Sequence, residues 1–285
     1  MTTYRKYSTL APPALWLGVF FVVPLLVIFV YSFFQRGDYG EIIYAFTLDN
    51  YLRAMDPLYA GTLIASVRIA LIATVLCLIL GYPLAWYIAR QTPSLKKILL
   101  ALLIIPFWTN FLVRTYAWIF ILRTEGLLNN TLLSLGIIDA PLEILFTQTA
   151  VIIGLVYTYL PFMVLPIYVS IEKLDRALFD ASRDLGATAW QSFRRVMLPL
   201  TRPGIISGSI LVFVPCLGAY ITPDLLGGAK SLMVGNLIQI QFLAARDWPF
   251  GAALSFIVMA IVLVLLLVYA RWGTINVQSE PGDST

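Results

Sequence analysis

The residues 180–199, DASRDLGATAWQSFRRVMLP, form the longest polar interruption in the second half of an otherwise apolar chain. They have the grammar of two short helices. Leu174, Leu178, Ala181 and Leu185 recur at the spacing of one helical face. Gly186 follows at once, where the left-handed conformation that closes a helix costs least without a Cβ. Thr188 offers an N-cap oxygen to a second helix, and Gln191, three residues on, completes a capping box. Arg194 and Arg195 fall in the last turns of that helix, where cations suit its dipole, and Pro199 is expected to end it. The expected unit is a helix–turn–helix foot, apolar on one side and charged on the other, held between two membrane spans.

Composition says why spans must flank it. Hydrophobic residues make up 60% of the 285 and charged residues 12%, against about 25% in soluble domains. Such a chain cannot present a wet surface all round, so lipid must solvate much of it. The net charge of +4 is a matter of topology, and no nucleic-acid partner is expected. Cys77 and Cys216 lie in apolar runs and read as buried thiols rather than a disulfide or metal site. There is no histidine, which removes most zinc sites, Ser-His-Asp triads and imidazole relays together.

Six stretches approach the roughly 20 apolar residues that a spanning helix needs: 14–34, 62–88, 98–121, 150–171, 203–220 and 251–269. No small-residue cleavage site follows the first, so it reads as a retained span and not a signal peptide. Pro24, Pro83, Pro106, Pro161, Pro166 and Pro215 interrupt the spans. Their freed carbonyls need neighbouring helices or a wet cavity, which suits a conduit better than an anchor.

Orientation follows the cations. With the N-terminus inside, the inner segments hold Arg5, Lys6, Arg90, Lys96, Lys97, Lys173, Arg176, Arg183, Arg194, Arg195, Arg202 and Arg271. The outer ones hold Arg36, Arg53, Arg123, Lys230 and Arg246, while Arg68 and Arg114 fall within spans. Both termini and the foot are therefore expected in the cytoplasm. Nine acids, from Asp38 to Asp247, occupy the outer segments, either as a mouth that concentrates cations or because translocated loops are simply poor in Lys and Arg. Leu48-Asp49-Asn50-Tyr51 is read as a helix start, and 127–135 and 234–243 as helices too short to span. The polar tail, 277–285, is expected to be disordered. The whole chain, 1–285, reads as one transmembrane domain.

Within the foot, Asp180-Ala181-Ser182, three residues, Gly186, nine residues, Val196, one residue and Leu198-Pro199 resembles the EAA loop of importer-type ABC permeases. The spacing agrees at every step, with Asp, Ser and Val as mild departures. FTLDNY (46–51), LGYPLAW (80–86), PFWTNFLVRTYAW (106–118), LPFMVLPIY (160–168), DLLGGAKSLMVGN (224–236) and RDWPFGAA (246–253) are similar to the first permease subunit of spermidine/putrescine ABC importers.

The resemblance implies an all-α membrane protein, six spans with both termini inside, type I importer-like, and a cytoplasmic coupling helix in the loop 172–200. Asp180, Ala181, Ser182, Gly186, Leu198 and Pro199 would engage one of two ATP-binding subunits. It further implies a second homologous permease, a periplasmic polyamine-binding protein, ATP and Mg on the partners and no cofactor or metal here, in a bacterial inner membrane. A polyamine alternates ammoniums and methylenes, so it wants carboxylates at its ends and aromatic faces between, each face worth about 0.5–2 kcal/mol.

Asp224 and Asp247 are the candidate carboxylates, and Trp108, Tyr157 and Tyr220 the candidate faces; the competing reading of the aromatics is the interfacial belt. Arg114, within a span, is either a gate element or the partner of Asp224. The alternatives are a permease for another organic cation or opine-like solute, and an ion-gradient transporter. The latter calls for inverted repeats and intramembrane acids, and neither is visible. The segment Gly227-Gly228-Ala229-Lys230-Ser231 lacks the glycine before its lysine, so the chain has no phosphate loop and is not expected to be an enzyme.

Overall fold

A backbone surrounded by hydrocarbon must bond to itself, and the apolar runs accordingly form helices. The computed structural model describes residues 12–13, 15–175, 177–228 and 231–273. Arg5, Lys6, Arg176, Lys230 and the tail 277–285 lie outside the described residues. In chain order the helices are α1 (Leu15–Tyr31), α2 (Asp49–Ala54), α3 (Pro57–Ala89), α4 (Pro93–Trp108), α5 (Phe111–Leu122) and α6 (Leu127–Ser134). Then follow α7 (Gln148–Glu172), α8 (Ala177–Asp184), α9 (Ala189–Leu200), α10 (Arg202–Leu217), α11 (Val234–Leu243) and α12 (Trp248–Gly273). Among the described residues, α3, α7 and α12 are each long and apolar enough to cross a membrane, and two bent helix pairs bring the total to as many as 5. Many apolar residues of the helices are exposed, as with Phe20, Leu71, Leu102 and Leu263, each more than half accessible, whereas α7 is largely covered. That pattern suits lipid and not water.

The chain forms two compact units: the described chain up to Gly61 with Leu237–Leu263, and Thr62–Asn236 with the chain from Val264 on. In the first, Ala54, Leu237, Phe250 and Leu254 form the buried core, with Tyr59 and Ile257 packed against it. Asn50 donates from Nδ2 to the carbonyls of Ser32 (3.0 Å) and Phe34 (2.8 Å), satisfying backbone acceptors that follow α1. The all-helical expectation is corrected in one place. A two-stranded antiparallel ribbon, β1 (Gln35–Arg36) and β2 (Ile42–Ile43), closes through a turn in which Gly40 takes φ +86°.

The second unit is built on α7 against α10. Gly204 and Gly208, four residues apart, present one small stripe. A Cβ at Gly204 would meet the Pro166 carbonyl at 2.6 Å and the Ser170 hydroxyl, and one at Gly208 would meet Met163 Sδ at 2.9 Å. The backbones are therefore close enough for dispersion contact along the whole crossing.

Two expectations fail here for local reasons. The third span is not one helix: α4 and the helix that restarts at Phe111 meet at 94°. Pro106 lacks a donor, and Thr109 and Asn110 are extended, with ψ of 153° and 132°. Thr109 Oγ1 donates to the Pro106 carbonyl (2.6 Å), and Asn110 Oδ1 accepts from Leu112 N (2.8 Å), so the break is capped on both sides. Likewise Pro199 does not end its helix. A π-helical turn, Phe193–Met197, precedes it, α9 runs on to Leu200, and the 66° bend into α10 falls at Thr201.

Replacing Gly204 with Leu drives a branched side chain into Pro166 and Ser170, and the expected loss of stability is about 1–3 kcal/mol or more. Gly18→Leu, where a Cβ meets nothing within 4 Å, is expected to be near neutral. Thermal unfolding of the detergent-solubilised protein compares the two.

Candidate functional site

The foot folds as its residue types dictate. α8 ends in the paired hydrogen bonds of a Schellman turn: Gly186 N to Arg183 O (2.8 Å) and Ala187 N to Ser182 O (3.1 Å). Gly186 takes φ +80°, which an L side chain reaches only at about 1–2 kcal/mol. The capping box is present: Gln191 N donates to Thr188 Oγ1 (3.3 Å), and Thr188 N to Gln191 Oε1 (2.8 Å). Ser182 and Ser192 share a hydroxyl hydrogen bond of 2.7 Å, which stitches α8 to α9. Asp180 lies on α8 three residues before Arg183.

The apolar face of this foot is not covered. Leu178 is 45% exposed, Leu185 89% and Trp190 66%, and Ala181 is exposed beside them. Leu198 and Pro199 are half-buried at its far end. An amphipathic hairpin that turns its apolar residues outward needs another surface to cover them.

The inner side of the foot is tied to the spans. Trp190 stacks on Phe193 (5.3 Å), and Phe193 meets the edge of Tyr82 on α3 (5.5 Å). Tyr82 Oη lies 2.9 Å from Thr201 Oγ1, with both residues buried. The Thr201 proton goes to the Met197 carbonyl (2.8 Å), so Tyr82 is the donor of the pair. A second tie joins α4 to the end of α7, where Lys96 Nζ donates to both Glu172 oxygens at 2.7 and 2.9 Å. Neither Tyr82 nor Thr201 stood out in the sequence. The available signal was a tyrosine beside Pro83 and a threonine directly after Leu198-Pro199-Leu200.

The proposed path residues are placed separately. Asp224 opens a π-helical turn, Pro223–Gly227, and is exposed, its amide donating to the Tyr220 carbonyl (3.0 Å). The same carbonyl accepts from Asn236 Nδ2 (2.7 Å), while the Tyr220 ring is 44% exposed. Trp108, at the end of α4, is 86% exposed. Tyr157 packs its edge against Trp118 at 5.4 Å. Arg114 makes no ion pair with Asp224; its guanidinium lies 4.8 Å from the Phe107 centroid and 5.9 Å from that of Phe111, and its buried Nε has no hydrogen bond.

Asp247 belongs to the other unit and is already engaged. It is 2% exposed, caps α12 by accepting from Phe250 N (3.1 Å), and pairs with Arg53 at 2.7 Å. Arg53 also donates to Tyr59 Oη (3.2 Å) and lies 4.0 Å from the Phe250 centroid. Burial opposes the charge on Arg53, but the hydrogen bonds to Tyr59 and Asp247 outweigh it and raise its pKa. The sequence reading missed this pair because 194 residues separate its members. No group of three or more His, Cys, Asp or Glu that could hold a metal occurs among the described residues.

An uncovered foot between membrane helices implies an assembly, and comparison with known proteins names its class. Residues 81–278 match the model of the binding-protein-dependent transport system inner membrane component, and the chain belongs to that family. It is an inner-membrane transport subunit and not an enzyme. Among curated proteins it is 53% identical over 256 residues to the spermidine/putrescine transport system permease protein PotB of Escherichia coli K12, covering 90% of this chain and 93% of that one. PotB of Haemophilus influenzae is 47% identical over 258 residues, 90% of each chain. The inner membrane ABC transporter permease protein YdcU of Escherichia coli K12 is 30% identical, over 95% of this chain and 90% of its own. Among solved structures, a bacterial ABC transporter involved in the import of alginate superposes with a TM-score of 0.68 at 17% identity, covering 97% and 96% of the two chains. That likeness establishes the shared permease fold.

The hydroxyl pair between foot and span predicts an asymmetric result. Tyr82→Phe leaves Thr201 still bonded to Met197 and is expected to cost about 1 kcal/mol, whereas Thr201→Val strands a buried phenol and is expected to cost about 1–3 kcal/mol. Thermal unfolding of both single variants and the double variant measures it; additive effects would mean the two hydroxyls are not coupled.

Proposed function

We propose that this chain is a permease subunit of an ATP-driven importer that carries polyamines, of the spermidine and putrescine class, from periplasm to cytoplasm by alternating access. The observation that carries the ATP-driven part is the foot: a capped, glycine-closed hairpin whose apolar residues Leu178, Leu185 and Trp190 face outward. The polyamine part is supported by the 53% identity to PotB over 90% of the chain. In this reading the chain is one permease domain with six spans and both termini in the cytoplasm. Residues 172–200 form the coupling loop, in which Asp180, Ala181, Ser182, Gly186, Leu198 and Pro199 hold the shape that docks on an ATP-binding subunit. ATP and Mg belong to two such partners, a second permease completes the path, and a periplasmic binding protein delivers the cargo.

On the outer side, Asp224 is exposed and not ion-paired among the described residues, and is the carboxylate best suited to a passing ammonium. Tyr220, Trp108 and Tyr157 offer ring faces, and Arg114, resting on Phe107, is a gate element. Asp247 acts as a brace for α12 rather than as a grip on cargo, because Arg53 already occupies it.

Uptake of labelled spermidine and putrescine by cells lacking their own importer, given this chain with its partners, tests the substrate and the path together. Asp224→Asn is expected to lower uptake about tenfold with normal assembly, the loss of one charge-assisted contact. Asp247→Asn keeps an acceptor for Phe250 N and should transport nearly normally. Saturable uptake of neither polyamine by an assembled, ATP-hydrolysing complex would rule out the polyamine reading.

Topology has its own test. Cys77 and Cys216 are fully buried, so a Leu185→Cys variant carries one accessible thiol among the described residues. A membrane-impermeant maleimide is expected to label it in inside-out vesicles and not in intact spheroplasts.

A further inference from the structure

Two recesses at the ends of α3, α4 and α7 share one arginine. The larger, about 470 Å³, is lined by Trp86, Arg90, Lys96, Glu172, Phe179 and Met197 among others. The smaller, about 160 Å³, shares Trp86, Arg90, Phe179 and Met197 and adds Arg183 from the foot. Glu172 is the lining carboxylate, and Lys96 takes both of its oxygens. Among the described residues Arg90 and Arg183 make no ion pair, and the charged side chains that line the two recesses are Arg90, Lys96, Arg183 and Glu172. Arg90 lies 4.3 Å from the Trp86 centroid. Stacking occupies the face of a guanidinium and leaves its in-plane N–H fork free, the arrangement that grips a phosphate. Phe179 and Met197 add apolar surface to both recesses.

We propose that this groove holds the phosphate of an anionic membrane phospholipid, with Arg90 and Arg183 on the phosphodiester and Phe179 and Met197 against the glycerol and first methylenes. The proposal rests on the cytoplasmic placement of the foot given above. At that depth the inner ends of three helices meet the headgroups, and basic recesses between spans are where anionic headgroups bind. A carboxylate of the ATP-binding subunit is the less suited occupant. The uncovered face of the foot is Leu178, Leu185 and Trp190, none of which lines either recess. A lipid so held bridges α3 to α8 and stiffens the foot against the spans.

The test uses the complete complex in nanodiscs of phosphatidylcholine with phosphatidylglycerol, and native mass spectrometry to count retained lipid. Wild type is expected to keep phosphatidylglycerol over phosphatidylcholine. The Arg90→Gln, Arg183→Gln double variant should lose that preference about tenfold, and Arg90→Lys, which keeps the charge but not the fork, should lose part of it. Equal retention of the two lipids by wild type overturns the proposal without recourse to any variant, and so does an unchanged preference in the double variant. Displacement of the lipid by millimolar inorganic phosphate would reassign the groove to a soluble anion. Loss of the ATP-binding subunits with lipid retention unchanged would make it a protein interface. The lipid count does not depend on what the complex imports, and Leu185→Cys labelling reports separately on a foot that faces the other way.

Discussion

The close approach of α7 and α10 sets the geometry of everything at their ends. The foot is the connection between these two helices, so the distance its ends must bridge is the distance at which their backbones cross. Gly204 and Gly208 make that distance short, because a single Cβ at either would collide with Pro166, Ser170 or Met163. In lipid, where burying apolar surface gains little, such backbone-to-backbone dispersion is what holds helices together. The foot is therefore a short connection on a closely packed pair, the placement that the proposed coupling role calls for.

Its own construction is consistent with that role. Each free helix end inside the hairpin has a partner: the Schellman turn closes α8, the capping box opens α9, and Ser182 and Ser192 join the two. Polar groups are spent on internal bonds, and the apolar residues are left outside. Toward the spans the order reverses, with the Phe193 and Tyr82 rings and the Tyr82–Thr201 hydroxyl pair packing inward. A hairpin that is satisfied on the inside and apolar on the outside is suited to the proposed docking of a partner.

Charge is handled by the same economy elsewhere. Arg53 and Asp247 are oppositely charged, close and hydrogen-bonded, and they fix the start of α12 against α2. Asp224 has no such partner among the described residues, although it too lies at the end of a helical segment. Two aspartates that look alike in composition thus differ in their surroundings. One is engaged by the fold and the other is exposed, with no ion pair among the described residues.

Local physics made much of this chain legible without coordinates. The apolar helices, the foot with its left-handed glycine and capping box, and the short helices near 127–135 and 234–243 all depend on residues within a few positions of one another. Propensity and capping act over that range, and helices in lipid have no competing backbone partner. The family likeness was legible for the same reason, since the spacing within 180–199 is local.

What only the tertiary structure decided involves residues far apart or a choice between two satisfied outcomes. Asp247 reads as an available acid until Arg53, 194 residues away, is brought beside it. Pro199 reads as a stop, yet a π turn before it lets α9 run on, and the break falls at Thr201 where Tyr82 is waiting. The third span reads as continuous, and Thr109 and Asn110 instead cap both sides of a 94° break. In each case the sequence supplied groups able to bond in more than one way, and packing chose among them.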